Sequence, residues 1–241
     1  MSPEFTIRPA LLSDAPHTAR TSVRAFLTTS TGPSLLPYLA PNATVHDTDF
    51  YISTIHRMRS RFLDPSSISL VAVTPDLCIG NATFTRTPAP APESLPHFLL
   101  RWVVTTYQRL YGWAFPNRAT DKVRMELFMA NRRRIQKRWE EERYKERWEI
   151  ESVSIEPEWQ RRGVGRELMG WVVEKAREEG VPVVVEASRE GGVLYRSLGF
   201  VKVGEGFRVP GGEEEIGGGV FEWWPEGVRE RWEREEGELR E

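Results

Sequence analysis

The sequence predicts one mixed α/β domain carrying a helical insertion, and three observations support this. Residues 148–224 read as strand, helix, strand, short helix and two further strands in a compact series. Two β-rich runs, 69–73 and 78–84, flank Thr74-Pro75-Asp76-Leu77 and suit a hairpin. Between these regions apolar residues recur at helical spacing rather than in alternation.

The elements follow in order. Phe5 to Arg8 alternates like a short strand and is ended by Pro9. Ser13-Asp14 caps a helix running through Val23 and Phe26. Residues 30–45, rich in Pro, Ser and Thr, read as a loop or a broken helix, and Asp47 to Phe62 as a helix. After the hairpin, the proline-rich connector at 87–96 leads to a helical stripe of Phe98, Leu99, Trp102, Val103 and Leu110. Such a stripe is expected to be buried against the domain. A second helix is expected from Asp121 to about Arg143. Next come a strand over 148–155 and a helix over 163–179 with Val164, Leu168, Val172 and Ala176 on one face. Gly180 stops that helix, a buried-type strand spans 181–187, and a short helix covers 190–198. Strands at 200–209 and 217–224 complete the domain, assigned to residues 1–225 with the insertion at 87–146. The tail at 226–241, with 7 acids against 4 bases, reads as a solvated helix.

Composition narrows the function classes. A net charge of -2 gives no general attraction to nucleic acid or an anionic membrane. No apolar run approaches the roughly 20 residues of a membrane span, and the first residues lack the pattern of a secretory signal. The chain is therefore expected in the cytoplasm, with the nucleus left open. Cys78, the single cysteine, rules out an internal disulfide and reads as a small hydrophobe in a strand. The four histidines show no ligand spacing, so no metal is expected. Residues 118–149 hold 11 basic and 7 acidic residues, but i,i+4 pairs of opposite charge favour a solvated helix face over a nucleic-acid site.

The most informative stretch is Gln160-Arg161-Arg162-Gly163-Val164-Gly165, between a strand and a helix. A dinucleotide fingerprint fails, because position 168 is Leu, and no Gly-Lys-Ser/Thr follows for a Walker loop. What remains is an anion nest. The first turn of a helix leaves N–H groups unpaired at the positive end of the dipole. Glycines let the backbone approach a pyrophosphate, and Arg161, Arg162 and Arg166 add charge.

This stretch resembles the acetyl-CoA signature (Q/R)-x-x-G-x-(G/A) of the GCN5-related N-acetyltransferase (GNAT) superfamily. Leu194-Tyr195-Arg196-Ser197-Leu198-Gly199-Phe200 is similar to that family's closing motif, and the resemblance covers about residues 145–205. It implies a mixed, mostly antiparallel sheet splayed between strands four and five, with the insertion between strands three and four. It also implies acetyl-CoA as acyl donor, bound by Gln160, Arg161, Arg162, Gly163, Val164, Gly165 and Arg166. Val153, Ser154 and Ile155 would meet the pantetheine arm from one side and Ser188 from the other, although the family often has Asn near that last position. Tyr195 corresponds to the acid that protonates the CoA thiolate.

For the base, Glu149 and Glu151 share a strand parity and stay on one face unless a bulge intervenes, and Glu186 is a third candidate. The expected function is N-acetyl transfer to a primary amine, on a small molecule or a peptide, in a ternary complex without a covalent intermediate. The competing readings are an idle acyl-CoA-binding module and an adaptor or nucleic-acid binder working through the 118–147 helices. The run Arg132–Arg138 is expected either to wall the acceptor side or to sit in a peripheral buttress.

Overall fold

A seven-stranded sheet organises the chain in the computed structural model, which describes residues 5–28, 35–90, 92–209 and 216–230. Its nucleus is the hairpin of β2 (Ser67–Val73) and β3 (Cys78–Thr87), paired antiparallel around the predicted turn. The strand β1 (Thr6–Pro9) adds antiparallel to β2, and β4 (Arg147–Ile155) adds antiparallel to β3. Beyond β4 lie β5 (Val183–Ala187), β6 (Val201–Gly204) and β7 (Gly219–Trp223). The order is β1-β2-β3-β4-β5-β7-β6, and β4–β5 is the parallel pair.

Helices cover both faces. On one lies α6 (Val164–Glu179), whose Val164, Leu168, Val172 and Ala176 are all buried, as the sequence spacing requires. They join Phe84, Trp148, Ile150 and Val183 in the main core, and α7 (Arg189–Ser197) extends the same layer over β5–β7. On the other face α1 (Ala15–Thr28) packs on β3 and β4, and α3 (Asp47–Phe62) packs on α1 and β2. The start of α1 is fixed by Asp14, which accepts from the Leu11 N–H and pairs with Arg8 at 2.7 Å. Within the stretch expected to be a loop or a broken helix, α2 (Leu35–Leu39) is one short helical turn.

The insertion comprises α4 (Leu95–Ala114) and α5 (Lys122–Arg138), between β3 and β4. Two expectations change here. The second helix ends at Arg138 rather than near 143, because Trp139 and Tyr144 turn inward with Ile135 onto Val184 and Val220 of the sheet. The stripe on α4 is not buried: Phe98, Leu99, Trp102, Val103 and Leu110 are all exposed. The helix instead leans on α3 through Gln108, which donates to the His56 carbonyl and accepts from Ser60. Most of the acidic tail lies outside the described residues.

The Tyr144 hydroxyl donates to the buried Glu222 carboxylate of β7, anchoring the end of the insertion to the sheet. Replacing Tyr144 with Phe removes that donor and leaves a buried acceptor unpaired, a loss of about 1–3 kcal/mol. Urea unfolding should show it as a lower midpoint with an unchanged slope. A wild-type midpoint would mean that the insertion is held by apolar contacts alone.

Candidate active site

β4 and β5 pair over three residues only, Trp148–Ile150 against Val183–Val185. From Glu151 to Ile155, β4 continues along β3 with no strand on its other side among the described residues. The opening coincides with a bulge. Ile150 faces Phe84 and Ser152 faces Thr83, so Glu151 is the extra residue. The bulge keeps Glu149 and Glu151 on one face while Ile150, Val153 and Ile155 stay with the core. A bulge does intervene, yet the two carboxylates remain neighbours.

Two arginines from distant elements meet there. The Arg132 guanidinium of α5 lies 3.0 Å from Glu149 Oε1 and 2.8 Å from Glu151 Oε2. Arg61 of α3 reaches the same Glu151 oxygen at 2.8 Å. Burial pushes the Glu149 carboxyl up, the nearby Glu151 charge adds to this, and Arg132 opposes it. Glu186, on β5 just past the last β4 pairing, is raised by burial and also feels Arg132. All three candidate bases therefore gather around Arg132. Arg133 and Arg134, its neighbours in the predicted wall, are exposed. Within this segment Arg132 faces the carboxylates and Ile135 packs on the sheet.

At the far end of the opening, Gly163 caps α6 with φ at 89°, a left-handed conformation that costs side chains energy. A Cβ there would meet no protein atom within 4 Å, so this glycine serves the backbone turn rather than protein packing. At Gly165 the reason is room, because a Cβ would come 3.3 Å from Leu194 of α7. No side chain caps this helix. Gln160 donates to the Ile155 carbonyl and ties the turn to β4, and Arg162 lies over the Trp159 ring. Arg166 reaches Ser197 of α7, and Arg161 adopts φ of 61°.

Tyr195 is buried among Phe200 and Phe221, its ring close to Gly191 in the first turn of α7 beyond the end of β5. Burial raises its hydroxyl pKa, so the phenol holds its proton at neutral pH. Ser188 is the cap of α7 and accepts from the Gly191 N–H, so its side-chain oxygen has a structural task. Ser154 is buried and faces away from the main core, and Val153 and Ile155 pack on it. The Cys78 thiol, buried and raised to about 11, is an inert packing group. Among the described residues no group of three His, Cys, Asp or Glu is placed to hold a metal ion, and no helix is long and apolar enough to cross a membrane.

Arg61 was not legible from sequence, since nothing local distinguishes it from Arg57 or Arg59 on the same helix. Only the packing of α3 beside β4 reveals it.

A family model described as an acetyltransferase (GNAT) domain matches residues 131–202, from α5 into β6. Over this stretch the chain is similar to a GNAT acetyltransferase domain. The fold as a whole is similar to that of a solved structure described as a histone acetyltransferase HPA2 and related acetyltransferase from Corynebacterium glutamicum. That protein is 18% identical over 92% of this chain and 96% of its own, with a TM-score of 0.53. The PaiA N-acetyltransferase of Thermoplasma acidophilum, solved with coenzyme A, is 11% identical over 93% and 99% of the chains, with a TM-score of 0.49. A GNAT acetyltransferase of Brucella melitensis, solved with acetyl-CoA, is 14% identical over 82% of each chain, with a TM-score of 0.40. No curated protein matches the sequence. The likeness to the Corynebacterium protein shows the fold and does not give the acceptor.

Arg132 offers a direct test of the charge cluster. Its cation favours ionised carboxylates, so Arg132→Gln should raise the Glu149 pKa further, read by carboxyl-carbon NMR titration. Leaving the buried Glu149 carboxylate without this partner should also cost about 3–5 kcal/mol. The sign follows from linkage. A carboxyl with a raised folded pKa loses stability as pH climbs from the ordinary carboxylate range through the folded value. The variant's deficit should therefore widen with rising pH. A pH-independent deficit would remove Glu149 from the cluster.

Proposed function

We propose that this GNAT domain transfers an acetyl group from acetyl-CoA to a primary amine by direct attack in a ternary complex. One observation supports this above all: a left-handed glycine turn, an open strand edge and three carboxylates lie along one opening between β4 and β5. The site's residues suit the donor. The uncapped first turn of α6, from Gly163 to Arg166, supplies N–H groups and positive charge for a pyrophosphate. Beyond Ile150 no strand among the described residues pairs with the outer edge of β4, and its backbone at Val153 and Ser154 faces the amide-bearing pantetheine arm as it would a partner strand.

An acceptor ammonium, near its usual pKa of about 10.4, must lose a proton before it attacks. Glu149 is the better candidate for that role. Its raised pKa brings it nearer the operating pH, where a base is most effective. Glu151 is held from both sides by Arg61 and Arg132 and serves to fix them. The amine nitrogen then bonds to the thioester carbon and the C–S bond breaks. Tyr195, kept protonated by its surroundings, donates to the departing thiolate. The acceptor is a small-molecule or peptide amine.

Substitutions at four positions test this reading. Gly163→Glu should abolish acetyl-CoA binding in calorimetry, whereas Gly163→Ala, which meets the same backbone strain without the charge, should bind within about tenfold of wild type. Equal affinities for the two variants would remove the phosphate from this turn. Tyr195→Phe should keep donor affinity and lower kcat by roughly 10². In a thiol-release screen over a panel of amines, Glu149→Gln should lose about 10²-fold or more in kcat, and more than Glu151→Gln; the reverse order would reassign the base.

A further inference from the structure

Among the described residues the apolar face of α4 has no partner. Leu95, Leu99, Trp102, Leu110 and Trp113 are exposed by 69, 50, 57, 64 and 85%, with Val103 beside them at 55%. With Thr106 they follow spacings of three and four along one side of the helix, over about 30 Å. The opposite side, with Gln108 and Tyr111, rests on His56 and Ser60 of α3, so the stripe points outward. With about 150–250 Å² for the full area of a large side chain, these six expose on the order of 700 Å². That exceeds the ~300–600 Å² patch of a typical monomer and is close to the ~800 Å² per partner of a standard interface.

We propose that this stripe is the seam of a homodimer in which α4 packs antiparallel against α4 of a second copy. The pattern is self-complementary about its midpoint. Antiparallel pairing sets Leu95 opposite Trp113, Leu99 beside Leu110, and the large Trp102 opposite the small Thr106. Every position on the stripe then meets an apolar or small partner, as an isologous contact requires. A parallel pair would stack Trp102 on Trp102 and Trp113 on Trp113 and lose that match of large with small. The charge pattern selects against the other occupants. α4 carries two charged residues, Arg101 and Arg109, and Arg101 is already tied to Glu93 at 2.6 Å. That leaves little to attract an anionic lipid surface in a chain of net charge -2. Beside the stripe, a groove of about 530 Å³ lined by Leu12, Arg59, Val103 and Tyr107 offers room for side chains of the second copy. Because α4 rests on α3, and α3 carries Arg61 to Glu151, the dimer would brace one wall of the acetyltransferase cleft.

Sedimentation velocity from about 1 to 100 µM tests the proposal, because a dimer must follow mass action. The expected species has twice the 27.8 kDa chain mass. Leu99→Glu/Leu110→Glu, with both changes on exposed sites, should raise the dissociation constant at least ~100-fold at unchanged helical circular dichroism. Thr106→Trp adds apolar surface but fills the place opposite Trp102, and should weaken the dimer about tenfold. A wild-type monomer throughout the range overturns the proposal, as does a double variant that remains dimeric. Tighter association of Thr106→Trp overturns the antiparallel register. Cosedimentation of monomer with phosphatidylserine vesicles, lost in the double variant, would hand the face to lipid instead.

Discussion

The divergence of β4 from β5 after three paired residues is the constraint on which the rest of this structure depends. Parallel strands in a continuous sheet satisfy each other's backbone groups and leave nothing for a ligand. Here the pairing stops at Ile150 and Val185, and the bulge at Glu151 bends β4 away at the same point. The freed edge leads from the carboxylates to the glycine turn at α6. The main core under α6 holds the strands on each side of the opening in place, with Trp148, Ile150 and Val183 fully packed beneath it.

Charge is concentrated where the strands part. Three carboxylates on one face would repel each other and resist burial, and Arg132 offsets both costs from a helix inserted between β3 and β4. The position of that arginine depends on apolar contacts nearby. Ile135, Trp139 and Tyr144 fasten the end of the insertion to Val184 and Val220, and Tyr144 adds its bond to Glu222. Arg61 arrives from α3 and meets the same carboxylate. Arginines from two helices in different parts of the chain thus meet at Glu151.

The two helices of the insertion divide its tasks. α5 is polar for most of its length; it buries Ile135 and sends Arg132 to the carboxylates and Arg138 to the Val203 carbonyl of β6. α4 is apolar along a face that the domain does not cover, and buries no residue of its own. A hydrophobic stripe records that something will be buried; it does not name the surface that buries it.

Much of the fold was written locally. The hairpin turn, the spacing of Val164, Leu168, Val172 and Ala176, and the glycines at 163, 165 and 180 each follow from short-range sterics or periodicity, and the structure has them where the sequence put them. The order of the motifs also pointed to the family before any coordinates did. Three things needed tertiary structure: the end of α5 at Arg138, the exposure of α4, and the meeting of Arg61 and Arg132 at Glu149 and Glu151. Each depends on which surfaces face one another across long separations in the chain. Local propensity carries no information about such contacts, because their energy arises only when distant segments share a volume from which water has been removed.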